Sequence, residues 1–298
     1  MIRKVAVGMG VMEIPPRYSE FRRVVKVFFG RKLAAFGFAL IILLIITAIF
    51  SLQLAPYDPY KIDISQKLLQ PSQVHLLGTD ALGRDTLSRI IYGSRASLMV
   101  GIIAVGMASL IGQSLGLMAA YFGGTVYAMI MRFIDALMAV PMILNALIIA
   151  TVLGGGLKNV IIALGIGMIA PQARIMCGQA LSVMQNDYVL AGRAMGVSNI
   201  RMMLRHIVPN AFPPLIVLIT LEIGTCILAE ASLSFLGIGI APPMPTWGSM
   251  VNDGYKYLLI HPILSFSAGF AIMLVVFAFN MVGDGLRDAL DPRLRGTL

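Results

Sequence analysis

Tyr188-Val-Leu-Ala-Gly-Arg-Ala-Met-Gly-Val-Ser-Asn-Ile-Arg-Met-Met-Leu-Arg-His-Ile-Val-Pro-Asn210 takes up most of segment 179–209 and one residue beyond it, a segment too polar to cross a bilayer yet patterned as helix. Asn186 or Asp187 can cap a helix start. About two turns follow from Tyr188, and Gly196 is placed to end them in a left-handed conformation. Ser198 can cap a second helix, in which Ile200, Met203, Leu204 and Ile207 recur at helical spacing. Pro209 and the pair Pro213-Pro214 are expected to close that helix and turn the chain into the next apolar stretch. The reading is a helix-glycine-helix elbow with apolar knobs and arginines on its flanks. Such an element either lies on a bilayer surface or plugs into a socket on another protein.

What flanks the elbow decides the fold class. Of 298 residues, 58% are hydrophobic and 12% charged. Soluble domains carry roughly 25% charged residues, so one water-solvated core could not hide this much apolar surface. A span needs about 20 apolar residues, and six stretches qualify: 34–53, 97–122, 126–153, 159–176, 211–236 and 263–283. The expected fold is all-α and integral to the membrane, with a cytoplasmic loop carrying the elbow. The first stretch is longer than the 7–15-residue apolar core of a secretory signal and lacks a small-residue cleavage site, so it reads as an uncleaved anchor. Gly101, Gly106, Gly112 and Gly116 in the second stretch are expected to mark one close-packing face. Pro141 predicts a kink in the third.

Basic residues set the direction. Arg3, Lys4, Arg17, Arg22, Arg23, Lys26, Arg31 and Lys32 precede the first span. Arg174, Arg193, Arg201 and Arg205 follow the fourth, and Arg287, Arg293 and Arg295 follow the sixth. With both termini inside, these fifteen are cytoplasmic, against seven outside: Lys61, Lys67, Arg84, Arg89, Arg95, Lys158 and Lys256. The net charge of +9 is therefore an orientation signal, and its scatter between apolar stretches excludes a nucleic-acid surface.

Four carboxylates fall in the apolar stretches, where such groups are functional candidates. Asp135 is one turn from Arg132, which suggests a local ion pair, and Asp284 falls at the exit of the last span. Glu222 and Glu230 lie two turns apart on the fifth. The scattered Cys177, Cys226, His75, His206 and His261 give neither a disulfide framework nor a metal spacing. No G-x-x-x-x-G-K-[ST] occurs, so no nucleotide is bound by that route, and with no pattern of an active site in view no catalytic residue, metal or cofactor is expected.

The elbow resembles the coupling loop of binding-protein-dependent ABC transporter permeases, whose pattern is E-A-A, three residues to Gly, then about ten to I-x-x-P or I-L-P. Gly196, Ile207 and Pro209 match; Leu190 holds the acidic position and Gly192 the second alanine, around Ala191. Four further blocks resemble the dipeptide/oligopeptide/nickel branch of that family: Leu77 to Arg95, Arg132 to Pro141, Glu230 to Met250 and Gly283 to Arg293.

The resemblance implies a type I ABC importer permease fold, with one peripheral helix before a five-helix core. Its layout would be a basic cytoplasmic segment (1–33), an anchor (34–53), an extracytoplasmic segment (54–96), the core (97–286) and a cytoplasmic tail (287–298). It implies a non-catalytic subunit in a bacterial or archaeal cytoplasmic membrane, importing di- or oligopeptides. The implied partners are a second homologous permease, two cytoplasmic ATPase subunits and an extracytoplasmic solute-binding protein. Tyr188, Leu190, Ala191, Gly196, Arg205, His206, Ile207 and Pro209 would then face the ATPase. Glu222, Glu230 and Trp247 are candidates for a gate or translocation path, and the segment 237–261, rich in proline, for a rigid external turn. Nickel or another small solute is the alternative cargo. A secondary transporter driven by an ion gradient is the alternative class, but the sequence has no clear internal repeat and that reading leaves the elbow unexplained.

Overall fold

The computed structural model describes residues 17–290, so Arg3, Lys4, Arg293 and Arg295 of the orientation argument lie outside the described residues. No β-strand occurs among the described residues. Helix α1 (Arg17–Gly30) leads into α2 (Lys32–Ile49), the apolar anchor. Ala34, Gly37, Ile41 and Ala48 recur along one face of α2 and are its buried residues, which leaves a wide apolar surface for lipid.

Helix α3 (Thr86–Phe122) begins eleven residues before the apolar stretch does. Hydropathy does not register this start because Thr86, Ser88, Arg89, Ser94 and Arg95 are polar, but a strong cap fixes it. Asp85 accepts from the Ser88 amide at 2.7 Å and the Ser88 hydroxyl at 2.6 Å. Its other oxygen meets His75 Nδ1 at 2.9 Å, tying the outer segment onto the helix.

The third stretch departs from the expected kink. Helices α4 (Gly124–Ala139) and α5 (Met142–Leu153) meet at Pro141 with a bend of 88°. Proline removes one amide donor and excludes the preceding turn. Asn145 helps hold the break open by donating to the carbonyls of Leu137 (2.9 Å) and Val140 (3.1 Å). Helix α6 (Leu157–Met184) is longer than its apolar stretch at both ends, so Arg174 is not in a cytoplasmic loop but ten residues inside a helix.

Helices α7 (Asp187–Ala194), α8 (Asn199–Phe235), α9 (Trp247–Tyr255) and α10 (Ile263–Leu290) complete the chain. Among the described residues five helices are long and apolar enough to span, and the bent α4–α5 pair makes a sixth crossing if taken as one. The most extensive packing is α3 on α6. There Gly112 lies under the Ile169 carbonyl and Gly116 under that of Ala173, so close that a β-carbon would overlap backbone. Gly101 instead faces Ile223 and Ile227 of α8, and Gly106 has open space around it. The four glycines therefore do not share one face: at 100° per residue Gly106 points about 140° from Gly101.

Candidate coupling site and buried polar contacts

The elbow folds as its residues direct. At the end of α7, Gly196 has φ +76°, its amide donates to the Arg193 carbonyl at 3.0 Å, and the Val197 amide reaches the Gly192 carbonyl at 3.1 Å. That pair of bonds is a Schellman stop. A β-carbon on Gly196 would meet no atom within 4 Å, so the backbone angle, rather than space, demands glycine here. The capping expectations fail. Neither Asn186 nor Ser198 makes a side-chain cap, and the Asn186 amide turns back to the Val183 carbonyl at 2.8 Å.

Pro209, Pro213 and Pro214 do not close the second arm. Met203–Ile207 widens into a π turn, in which the Val208 amide bonds to the Met203 carbonyl, and the helix then runs on to Phe235. The wider turn absorbs the proline without a break. The second arm of the elbow and the fifth span are thus one 37-residue helix.

The buried side of the elbow is Val189, Met202 and Ile207. Tyr188, Leu190, Met195, Ile200 and Leu204 stand exposed, forming an apolar crest, with Ala191 and Arg205 exposed beside them. His206 is half-buried and its carbonyl accepts from Asn210 Nδ2 at 2.7 Å. Leu190 is one of the exposed apolar residues, so the crest carries no charge at that position. Sequence reading missed Tyr121 at the end of α3. Its hydroxyl donates to Asn199 Oδ1 at 2.8 Å, and the Arg193 guanidinium lies 5.2 Å from its ring centre. No signal beyond an aromatic at a helix end marked it.

Glu222 and Glu230 are both hydrogen-bonded, whereas Asp284 is exposed. Glu222 accepts from Gln172 Nε2 at 2.7 Å, and Gln172 accepts from Gln113 Nε2 at 2.9 Å, a relay across α8, α6 and α3. Glu230 is fully buried and accepts from the Ser234 hydroxyl at 2.7 Å. Thr246 caps α9 and reaches Ser234 at 3.5 Å, while Gly239 lies directly over Ser234. Glu230 thus bonds within its own helix, and it is Ser234 that meets the outer loop. Trp247, buried, donates from its indole to the Ile90 carbonyl at 3.0 Å and fixes α9 to α3. The expected rigid turn at 237–261 thus contains a nine-residue helix.

Residues 112–296 match the family described as "Binding-protein-dependent transport system inner membrane component", and residues 19–71 match "N-terminal TM domain of oligopeptide transport permease C". The chain belongs to this permease family. The permease is 41% identical over 277 residues to "Dipeptide transport system permease protein DppC" of Alkalihalophilus pseudofirmus, covering 93% of this chain and 91% of that one. It is 42% identical to "Glutathione transport system permease protein GsiD" of Pectobacterium atrosepticum, covering 86% and 85%. Two inward-facing structures of the MetNI methionine ABC transporter share its fold. Their TM-scores are 0.55 and 0.57 at 19% and 18% identity, over 68% and 69% of this chain and 96% and 97% of theirs. The permease is accordingly a multi-pass inner-membrane subunit of an ABC importer and a non-catalytic component of it.

One ion pair of the permease departs from expectation. Asp135 does not pair with Arg132 one turn away; it meets Arg174 of α6. An i,i+3 pair on one helix gains only a few tenths of a kcal/mol, so a partner on the facing helix readily outcompetes it.

Proposed function

We propose that this permease forms half of a translocation path for di- and small oligopeptides and couples it to ATP hydrolysis through the elbow. The observation that carries the coupling reading is the 37-residue helix from Asn199 to Phe235, which joins an exposed apolar crest to a membrane-spanning core helix. Displacement of the crest tilts the span, with no chemistry supplied by the permease itself. Peptide cargo is supported by the names of the dipeptide and glutathione permeases that align along most of the chain.

In this reading two cytoplasmic ATPases grip the exposed Tyr188, Leu190, Ala191, Gly196, Arg205 and Pro209, with half-buried His206 at the edge; Ile207, expected to join them, is fully buried and instead packs the elbow's underside. A second homologous permease completes the path, and an extracytoplasmic solute-binding protein delivers peptide to the opposite end. Both termini and the elbow lie in the cytoplasm. The end of the bundle with the elbow carries Arg22, Arg23, Lys26, Arg31, Lys32, Arg193, Arg201 and Arg205, as a cytoplasmic end should. At the other end Asp58, Asp63, Asp80, Asp85 and Asp253 offset the bases.

The test is Gly196→Val in the whole transporter. A β-branched residue at positive φ costs about 1–2 kcal/mol and turns the two arms apart. Co-purification of the ATPases and peptide-stimulated hydrolysis are expected to fall together. Unchanged values for both would sink the coupling role, and uptake of a solute panel by the wild type decides the cargo.

A further inference from the structure

Helix α4 turns charges outward at a depth where lipid would be the neighbour. Arg132 and Asp135 follow the start of α4 at Gly124 by eight and eleven residues, and Arg174 precedes the end of α6 at Met184 by ten. Counted from the ends of their apolar stretches at 126 and 176, Arg132 and Asp135 lie six and nine residues inside and Arg174 two, roughly 3–14 Å at 1.5 Å per residue, within the inner half of a hydrocarbon core about 30 Å thick. Asp135 and Arg174 pair, yet their side chains remain 49% and 52% exposed. Arg132 is exposed as well, and among the described residues it has no ion-pair partner. Charged groups at such depth face a bundle interior or a water-filled cavity, not lipid tails.

A second observation points the same way. The 88° break that ends α4 leaves Val140 and Pro141 exposed. Irregular backbone within a membrane is tolerated only where protein covers it or water fills a cavity beside it. A cavity of about 640 Å³ is present, lined by Tyr127, Met131, Arg132, Asp135, Arg174 and Cys177. That volume is within the range of small-ligand sites. Its two guanidinium groups and one carboxylate leave one positive charge in excess. Asp135 occupies Arg174, so the planar fork of Arg132 is left to take a carboxylate through two parallel hydrogen bonds. Met131 on the wall, with exposed Met129 and Met138 on the same helix, is pliable enough to accept varied side chains.

We infer that this cavity is a carboxylate subsite of the translocation path, in which Arg132 meets the C-terminal carboxylate of a passing peptide. This rests on the peptide reading above. The assembled transporter in proteoliposomes tests it, with the binding protein in excess and each variant scored against wild type on the same solute. The solutes are a dipeptide and its C-terminal amide.

Arg132→Gln is expected to slow uptake of the free acid about tenfold, the loss of one charge-assisted contact, and to slow the amide far less. Arg132→Lys restores part of the acid rate. Should the amide not be carried at all, loss on Gln with recovery on Lys supports the subsite by itself. Equal losses on acid and amide, or no loss, overturn it. Loss of the second permease from the purified complex also overturns it, because the carboxylate then belongs to that partner. Wild-type uptake confined to solutes without a carboxylate overturns the peptide reading along with the subsite. Peptide uptake insensitive to Arg132 overturns the subsite alone.

Discussion

Adding one methyl group at Gly116 should loosen the α3–α6 seam on which the core is built. A β-carbon there would lie 2.1 Å from the Ala173 carbonyl oxygen, 2.9 Å from its carbon and 3.0 Å from the Cys177 amide nitrogen. All three are backbone atoms, so no rotamer change relieves the clash. Reaching ordinary contact at about 3.4 Å needs the helices to part by roughly 1.3 Å, and a gap of even 1 Å forfeits up to half of each dispersion contact it crosses. Overpacking costs typically 1–3 kcal/mol, and a backbone obstacle places Gly116→Ala near 3. At roughly 2–4 °C per kcal/mol for a chain of this size, the midpoint should fall by about 6–12 °C.

The chain supplies its own probe, since its two cysteines, Cys177 and Cys226, are both buried. A thiol-reactive fluorogenic maleimide therefore reports unfolding of the detergent-solubilised protein, and Cys177 sits on the seam itself. Gly106→Ala is the control. Its β-carbon meets nothing within 4 Å, and alanine gains up to about 1 kcal/mol of helix propensity. A Gly116→Ala melt coincident with wild type, or an equal drop for Gly106→Ala, would refute the close-approach argument.

The same thiol melt checks three further expectations. Gln172→Leu strands Glu222 and Gln113 together and should cost about 1–3 kcal/mol, whereas Glu222→Gln keeps an acceptor for Gln172 and should cost less. Glu230→Gln retains the oxygen that receives the Ser234 hydroxyl and should melt near wild type, while Glu230→Leu should lower the midpoint by several degrees; equal melts would strip the Ser234 bond of any stabilising role. Trp247→Phe loses the bond to the Ile90 carbonyl, about 1 kcal/mol, and leaves a small void, so it should cost less than Trp247→Ala, about 3–5 kcal/mol, which empties the packed site.

Spans and elbow were legible because both are local. Twenty apolar residues in a row, or a glycine between two short amphipathic runs, speak for themselves. Pairing was not legible. Asp135 has an arginine one turn away, and nothing in the order of residues says that Arg174, 39 positions on, lies closer. Gln113 and Gln172 are unremarkable amides in apolar helices until folding brings them to Glu222. The glycine stripe failed for a related reason. Helical spacing gives the angle of a residue around its own axis but not which neighbour, if any, occupies that direction. Gly112 and Gly116 meet α6, whereas Gly106 meets open space.

The prolines of the second arm were misread for a reason that bears on mechanism. Each proline excludes an amide, so the carbonyls of Arg205, Pro209 and Asn210 lose their usual partners four residues on. A sequence argument counts that as three reasons for the helix to stop. The π turn at Met203–Ile207 enlarges the ring so that Pro209 fits and the axis continues. The helix therefore keeps its path while losing several of its internal bonds between the elbow and Leu215. Leu215 itself is fully buried, as are Ile207 and Ala211 on the same side. Side-chain packing thus holds the direction of the helix where its backbone bonding is thinnest. If the proposed coupling holds, the junction between arm and span, where internal bonds are fewest, is where this helix should bend first under load.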